Sequence, residues 1–231
     1  MKIGILTTRT THHEYFIYKI CKNFDNLTII YELEKKKKKE KLNLFEKKRD
    51  KYEKKIISKY KIKFNKNLLE VKNINDNKLA DYLKLNCDFL VVFGTTKIKG
   101  KLLKYFKNKI FNLHGGDPLK YRGLDSHYWS IYHNDFKSLI STIHFLDKDI
   151  DTGNIIYKKK INFSPKNKIY HLRLLNTETL VYISLKLLRK LKKKQKIFSK
   201  KQITLGRYYS KMPNIIKNSL EKKFNKFVKL L

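Results

Sequence analysis

The chain has 231 residues, 41% of them hydrophobic, and its 55 Lys and Arg against 20 Asp and Glu give a formal net charge of +35. That apolar content excludes an intrinsically disordered chain and is sufficient for one substantial folded domain. The sequence holds neither an apolar stretch long enough to cross a membrane nor a signal-peptide pattern, so we expect a cytoplasmic protein with no membrane insertion.

The net charge alone does not identify a partner. A strongly basic field attracts polyanions such as RNA. Only 6 of the basic residues are Arg, however, and nucleic-acid interfaces commonly use Arg for bidentate contacts to bases and phosphates. The excess of Lys, together with abundant Ile and Asn, is also the composition that an AT-rich genome produces, and we favour that explanation.

The order of the predicted elements is typical of an α/β protein. Short apolar, β-branched runs alternate with stretches of helical periodicity, which indicates a parallel sheet covered by helices. The predicted strands are 2–7, 27–32, 88–93, 107–113, 138–146 and 154–162, and the predicted helices are 13–23, 76–86, 125–133 and 168–194. We therefore expect a Rossmann-like, mostly parallel sheet flanked by helices, with a short C-terminal helix and tail.

Two segments differ from this alternation. Residues 34–63 form a charge-dense, lysine-rich run with spaced apolar residues, which predicts an inserted, solvated helix with a narrow apolar stripe; a basic arm for RNA or an anionic substrate is the alternative. Residues 196–231 are basic and aromatic. We expect residues 1–195 to form the main domain and residues 196–231 a basic C-terminal extension.

The stretch FNLHGGDPLKYRGLDSH, residues 111–127, concentrates much of the scarce glycine and several titratable side chains. Alternate residues of an extended segment share a face, so Asn112 and His114 point the same way where a strand ends. Farther along, DKDIDTGNII places Asp151 in a turn. An Asp that orients an imidazole, beside an amide that donates to an oxyanion, forms an acid–base site. The alternative is that these three side chains only cap turns.

The loop GTTKIKG follows the predicted strand 88–93 directly. Ligands of open α/β sheets bind at the carboxyl ends of the strands, so this loop is a candidate binding segment. Motifs of serine hydrolases, zinc proteases and ATP- or dinucleotide-binding proteins are absent from the sequence. We therefore expect no metal site.

The run NLHGGDPLKYRG followed by LDKDIDTGNII resembles the signature of the folate-dependent formyltransferases, N-[LI]-H-x-S-x-L-P-x-Y-R-G and then D-x-G. The segment FLVVFGTTKIK is similar to the folate-binding segment of that family, and the resemblance spans about residues 1–165. It implies an enzyme that transfers a formyl group from 10-formyltetrahydrofolate, its co-substrate, to a primary amine without a metal.

The resemblance also implies roles for individual residues. Asn112 and His114 would stabilise the oxyanion, and Asp151 would hold His114 and help to remove the proton of the amine. The residues expected at the folate are Phe93, Gly94, Thr95, Thr96, Leu146, Asp147 and Ile150. The residues expected at the acceptor are Asp117 and Arg122. Asp117 is a carboxylate that the family pattern lacks, and the alternative is that it only forms the turn.

Departures from the family pattern bear on the acceptor. The first strand is followed by TTRTTHHEY rather than a glycine-rich phosphate loop, and about 65 residues after position 165 are too few for a long helix plus the barrel domain of methionyl-tRNA formyltransferases. The expected acceptor is a nucleotide-linked amino sugar or a similar small amine. An aminoacyl-tRNA is the second possibility, a formyltetrahydrofolate deformylase the third, and a non-enzymatic RNA-binding protein the alternative from another class. The sequence leaves a homo-oligomer open.

Overall fold

A computed structural model describes residues 1–33, 42–60 and 67–231. The strands of its main sheet are β1 Ile3–Thr7, β2 Leu27–Glu32, β3 Asn67–Val71, β4 Phe89–Phe93, β5 Ile110–His114, β7 Ile140–Phe145 and β8 Ile155–Lys160. A two-stranded sheet is formed by β6 Tyr121–Gly123 and β9 Arg207–Tyr209. The helices are α1 Thr11–Cys21, α2 Leu44–Ile57, α3 Asn77–Asn86, α4 Gly100–Tyr105, α5 Ser126–Tyr132, α6 Leu172–Lys192, α7 Asn214–Lys217 and α8 Leu220–Val228.

The main sheet has the strand order β3-β2-β1-β4-β5-β7-β8. The first five strands of this order, β3, β2, β1, β4 and β5, pair in parallel, whereas β7 and β8 are antiparallel to their neighbours. Every residue of β1 and β2 is buried, as expected for central strands that are covered on both faces. The predicted α/β fold, a Rossmann-like and mostly parallel sheet flanked by helices, is confirmed.

Two apolar clusters hold the helices on the two faces of the sheet. One face packs on α1 and α6 through residues such as Phe16 and Leu180. The other face packs on α3 and α4 through residues such as Leu83 and Leu102. Among the described residues, no helix combines the length and the apolar character that crossing a membrane requires.

The lysine-rich helix differs from its prediction. Residues 34–41 and 61–63 of the predicted 34–63 helix lie outside the described residues. Helix α2 begins only at Leu44, because the side chains of Asn43 and Glu46 form a capping box there. Its inner side buries Phe45 and Ile57 and also two acidic side chains, Glu46 and Glu53. The apolar stripe is therefore supplemented by buried ion pairs, to Lys217 and Arg173 respectively.

The C-terminal residues pack closely on the rest of the chain. A third apolar cluster joins Leu220, Phe224 and Val228 of α8 to Tyr128 and Ile131 of α5. The prediction placed no strands β3, β6 or β9 and no helix α4. These are short elements, of three to six residues, whose existence depends on pairing or packing with distant segments.

Candidate active site

The strands β5 and β7 bring two polar side chains together at the site. Asn112 and His114 flank the buried Leu113 on β5, as the alternation of a strand requires. The antiparallel register pairs Asn112 with His144 of β7. His144 was missed by the sequence analysis, because only the register between two strands, which no local pattern specifies, brings it beside Asn112.

Asp151 lies at the centre of this group. Its Oδ2 accepts a hydrogen bond of 2.8 Å from the backbone N–H of Gly123 and lies 3.4 Å from Nδ1 of His114. Its Oδ1 accepts a bond of 3.1 Å from Nδ2 of Asn112 and lies 3.3 Å from Nε2 of His144. The three residues predicted from two separate segments therefore meet, and His144 and Gly123 complete the group.

The two rings are held by different partners. Nε2 of His114 donates to the carbonyl oxygen of Tyr121 at 3.0 Å while its Nδ1 faces the Asp151 carboxylate. Nδ1 of His144 donates to the Phe145 carbonyl at 2.8 Å, and its Nε2 lies 3.1 Å from Nδ2 of Asn112 and 3.3 Å from Oδ1 of Asp151.

The carboxyl of Asp151 is stabilised in its charged form. Burial by itself raises its pKa, but the His114 ring, the proximity of His144 and the N–H of Gly123 outweigh burial, and the pKa of Asp151 lies well below its ordinary value. A carboxylate therefore faces the two imidazole rings at neutral pH.

A cavity of about 350 Å³ opens beside this group, at the carboxyl end of β4. Of the residues expected at a folate, those that line it are Gly94, Thr95, Thr96, Leu146, Asp147 and Ile150. The side chain of Thr96 is already engaged, because its hydroxyl and its backbone N–H both donate to the buried Glu32 at 2.6 Å. Tyr208 of β9 also lines the cavity and was not predicted.

Phe93, which was also predicted to contact the folate, does not line this cavity. Adjacent residues of a strand point to opposite faces, so Val92 of β4 lines the first cavity while the ring of Phe93 packs on Phe16 and His13. Phe93 borders a second cavity instead, on the other side of His114.

The second cavity has a volume of about 340 Å³ and shares Gly94, Leu113, His114, Gly123 and Leu124 with the first. Arg49 and Arg173 reach its wall, but their guanidinium groups bond to the carboxylates of Asp50 and Glu53 on α2. His127 also lines the cavity. Burial lowers the pKa of its ring to about 4; the hydrogen bond to the Ile140 carbonyl acts to raise this pKa, and the nearby His114 ring acts to lower it. The side chains of this wall therefore carry little net charge at neutral pH.

The two residues predicted to contact the acceptor line neither cavity. Asp117 closes the turn after the glycine pair, since its Oδ1 accepts from the N–H of Leu119, and its Oδ2 pairs with Lys158 at 2.7 Å. Arg122 donates to the carbonyl oxygens of Gly206 and Ile150. Both side chains hold loops together, because the chain bends after Gly116 and turns them away from the cavities.

Comparison with known proteins identifies the family of this chain. The model of the family described as formyl transferase matches residues 2–184, more than half of the chain. The chain belongs to the formyl transferase family. The resemblance of the motifs around Asn112 and Asp151 is thereby confirmed.

Individual formyl transferases are similar to parts or to most of the chain. Methionyl-tRNA formyltransferase from Finegoldia magna is 41% identical over 92 residues, which are 39% of this chain and only 29% of that protein. The fold of PseJ from Anoxybacillus kamchatkensis, solved with UDP-4,6-dideoxy-4-formamido-L-AltNAc and tetrahydrofolate, is similar with a TM-score of 0.57, at 18% identity over 90% of this chain and 85% of that one. A sugar N-formyltransferase from Shewanella sp FDAARGOS_354 gives a TM-score of 0.61, at 15% identity over 96% and 87%.

Within residues 1–33, 42–60 and 67–231, no group of three or more His, Cys, Asp or Glu side chains is arranged to hold a metal ion. The polar atoms around Asp151 are instead committed to one another. The arrangement offers an amide, two imidazoles and a carboxylate along the first cavity, and of these His114 also lines the second.

Proposed function

We propose that this chain transfers a formyl group from 10-formyltetrahydrofolate to a primary amine. The observation that carries the proposal is the place of His114, which lines both cavities while Asp151 lies 3.4 Å from Nδ1 of its ring. Two reactants that enter from the two cavities would meet at this ring, and their proximity would supply much of the rate enhancement.

The first cavity suits the folate. Its apolar walls come from Val92, Ile98, Leu146 and Ile150, and a flat fused heterocycle buries its faces well between such side chains. Because the hydroxyl of Thr96 is bonded to Glu32, recognition of the ring's polar edge would fall mainly to backbone groups. The family match and the tetrahydrofolate in the PseJ structure support this assignment. When bound, the folate supplies the formyl group.

The residues around Asp151 have the chemistry that the transfer needs. Attack of an amine on the formyl carbon places negative charge on the formyl oxygen, and Asn112 and His114 would stabilise it. The distance of 3.4 Å between His114 and Asp151 exceeds that of an ordinary hydrogen bond, and such contacts often shorten when reactants bind. The Asp151 carboxylate would accept the proton of the amine, through water, and would return it to the folate nitrogen when the bond between that nitrogen and the formyl carbon breaks.

The second cavity suits the acceptor. Its arginines are neutralised by α2, so the wall beside His114 favours an uncharged polar group that carries the amine. An amino sugar fits this description, and the nucleotide to which it is linked would extend out of the cavity. We propose a nucleotide-linked amino sugar as acceptor and the cytoplasm as location.

A second candidate acceptor is an aminoacyl-tRNA. The net charge of +35 favours a polyanionic substrate, and the partial identity to a methionyl-tRNA formyltransferase is consistent with it. Binding of tRNA that weakens steeply as salt increases, with formylation of the bound aminoacyl group, would establish this candidate.

One assay separates these possibilities. Purified protein is incubated with 10-formyltetrahydrofolate and, in turn, nucleotide-linked amino sugars, methionyl-tRNA, simple amines or no amine, and the release of tetrahydrofolate is followed. Release that depends on an amine supports transfer and identifies the acceptor. Equal release without any amine, with formate as product, identifies a deformylase. Silence across the whole panel from a folded protein contradicts the proposal.

A further inference from the structure

Beyond α6 the chain returns to the active site as an extended segment, residues 198–210, here called the C-terminal strap. Lys200 exchanges two backbone hydrogen bonds of 2.8 Å with Ile155, just after the Asp151 turn. Farther along, the N–H of Gly206 donates to the carbonyl of Pro118 at 3.1 Å, and β9 pairs with β6. The strap therefore joins the two segments that supply Asn112, His114 and Asp151.

Gln202 is the polar side chain that the strap turns inward. Its neighbours Lys201 and Ile203 are exposed, whereas Gln202 is only 6% exposed. Its Nε2 donates to the carbonyl oxygens of Asp151 at 3.0 Å and Gly153 at 2.7 Å. An amide nitrogen carries two hydrogens, so this side chain uses both of them on one turn.

The turn that Gln202 holds is conformationally demanding. Asp151 has a φ of +57°, in the left-handed region that residues other than glycine rarely adopt. At Gly153 the chain passes so close to β7 that a Cβ would lie 1.8 Å from the carbonyl oxygen of Phe145. Relaxation of either residue would swing the Asp151 carboxylate away from His114 and His144.

We infer that Gln202 is a positioning residue, which fixes the Asp151 turn and thereby keeps the carboxylate against the His114 ring. The inference rests on the proposed function and extends the functional unit beyond residue 184, where the family match ends. It also assigns the strap to the working domain, although its residues lie in the predicted extension 196–231. Gln202 acts through the backbone of the turn and borders neither cavity.

The test compares three variants in the full chain. Gln202→Leu removes both donors at similar volume, and Gln202→Glu keeps size and polarity but places a carboxylate against two carbonyl oxygens. Ile203→Ala, at an exposed position of the strap, is the matched control. We expect both Gln202 variants to lose about 10- to 100-fold in kcat at pH 7.5, because a small displacement of an acid–base group is enough for such a loss. The control should stay within twofold of the wild type.

Two further measurements separate positioning from a general loss of structure. In a double-mutant cycle, Gln202→Leu should cost less than threefold once Asp151 has been changed to Asn, because the group that it positions is then gone. The ring ¹⁵N signals of His114 and His144 should move in Gln202→Leu and Gln202→Glu but not in Ile203→Ala, and this readout needs no substrate. Unchanged histidine signals overturn the inference even if the protein has no transferase activity. Full kcat in Gln202→Glu, or full additivity with Asp151→Asn, overturns it as well.

Discussion

Replacing Asp151 by Asn removes one charge from the centre of the site with little effect on its shape. Asn is tolerated in the left-handed region that Asp151 occupies, and its amide oxygen can still accept from the N–H of Gly123. With a charge separation of 3.4 Å and an effective dielectric constant of about 20, the lost attraction between Asp151 and His114 is about 5 kcal/mol. Acid–base groups typically contribute about 10²- to 10⁴-fold to a rate. We therefore expect kcat to fall by about that factor.

The assay is steady-state release of tetrahydrofolate with the best acceptor, together with urea unfolding of the same preparation. Folding no longer has to desolvate a buried charge at this position, a cost of several kcal/mol that offsets most of the lost attraction, so the free energy of unfolding should fall by less than about 2 kcal/mol. Asp81→Asn removes one charge from α3, on the opposite side of the sheet from α1 and α6, and should leave kcat unchanged. A kcat within threefold of the wild type in Asp151→Asn would refute the role of the carboxylate.

Three other predictions follow from the same contacts. Burial lowers the pKa of both His13 and His127 to about 4, against the bonds to Thr8 and Ile140, so the unfolded chain binds more protons than the folded one between about pH 6.5 and 4. Lowering the pH from 7.5 to 5.5 should therefore reduce the free energy of unfolding by about 1.3 kcal/mol for each ring. Urea titrations at the two pH values should show a smaller reduction in His127→Phe than in the wild type. Glu32→Gln should raise the KM for the folate about 5- to 20-fold with kcat unchanged, because it weakens two charge-assisted bonds that hold the loop at Thr96. An unchanged KM would contradict the proposal that this loop binds the folate. Gly153→Ala should lower the melting temperature or prevent folding, because its Cβ would overlap the carbonyl of Phe145, and a melting temperature equal to that of the wild type would contradict it.

Local sequence pattern predicted the parts of the site that depend on local geometry. The alternation along β5 placed Asn112 and His114 on one face, and the turn DTG marked Asp151. The same alternation, applied to β4, turns Phe93 away from the first cavity and toward the second one. Its contact with the folate stays a prediction.

Other residues could not be found from local pattern, because pairing and packing between distant segments decide their place. His144 reaches Asn112 through the register of β5 with β7. Gln202 lies 49 residues after Gly153 in the sequence, and the C-terminal strap brings it to the Asp151 turn. Asp117 carries a charge beside the motif, which suggested a contact with the acceptor. Its partner, Lys158 on β8, becomes a neighbour only after the sheet has formed.

The antiparallel direction of β7 explains why the carboxylate needs so much support. Because β7 runs opposite to β5, the chain leaves β7 at the beginning of β5, where the N–H of Leu146 donates to the carbonyl of Ile110. Asp151 nevertheless bonds to Asn112, in the middle of that strand, and lies 3.4 Å from His114 at its other end, so the segment after Leu146 must turn back along β5. The left-handed backbone of Asp151 and the close passage at Gly153 are features of this reversal. Restraint from outside the loop comes from the two bonds of Gln202 to the carbonyls of Asp151 and Gly153, together with the bond from Arg122 to the carbonyl of Ile150.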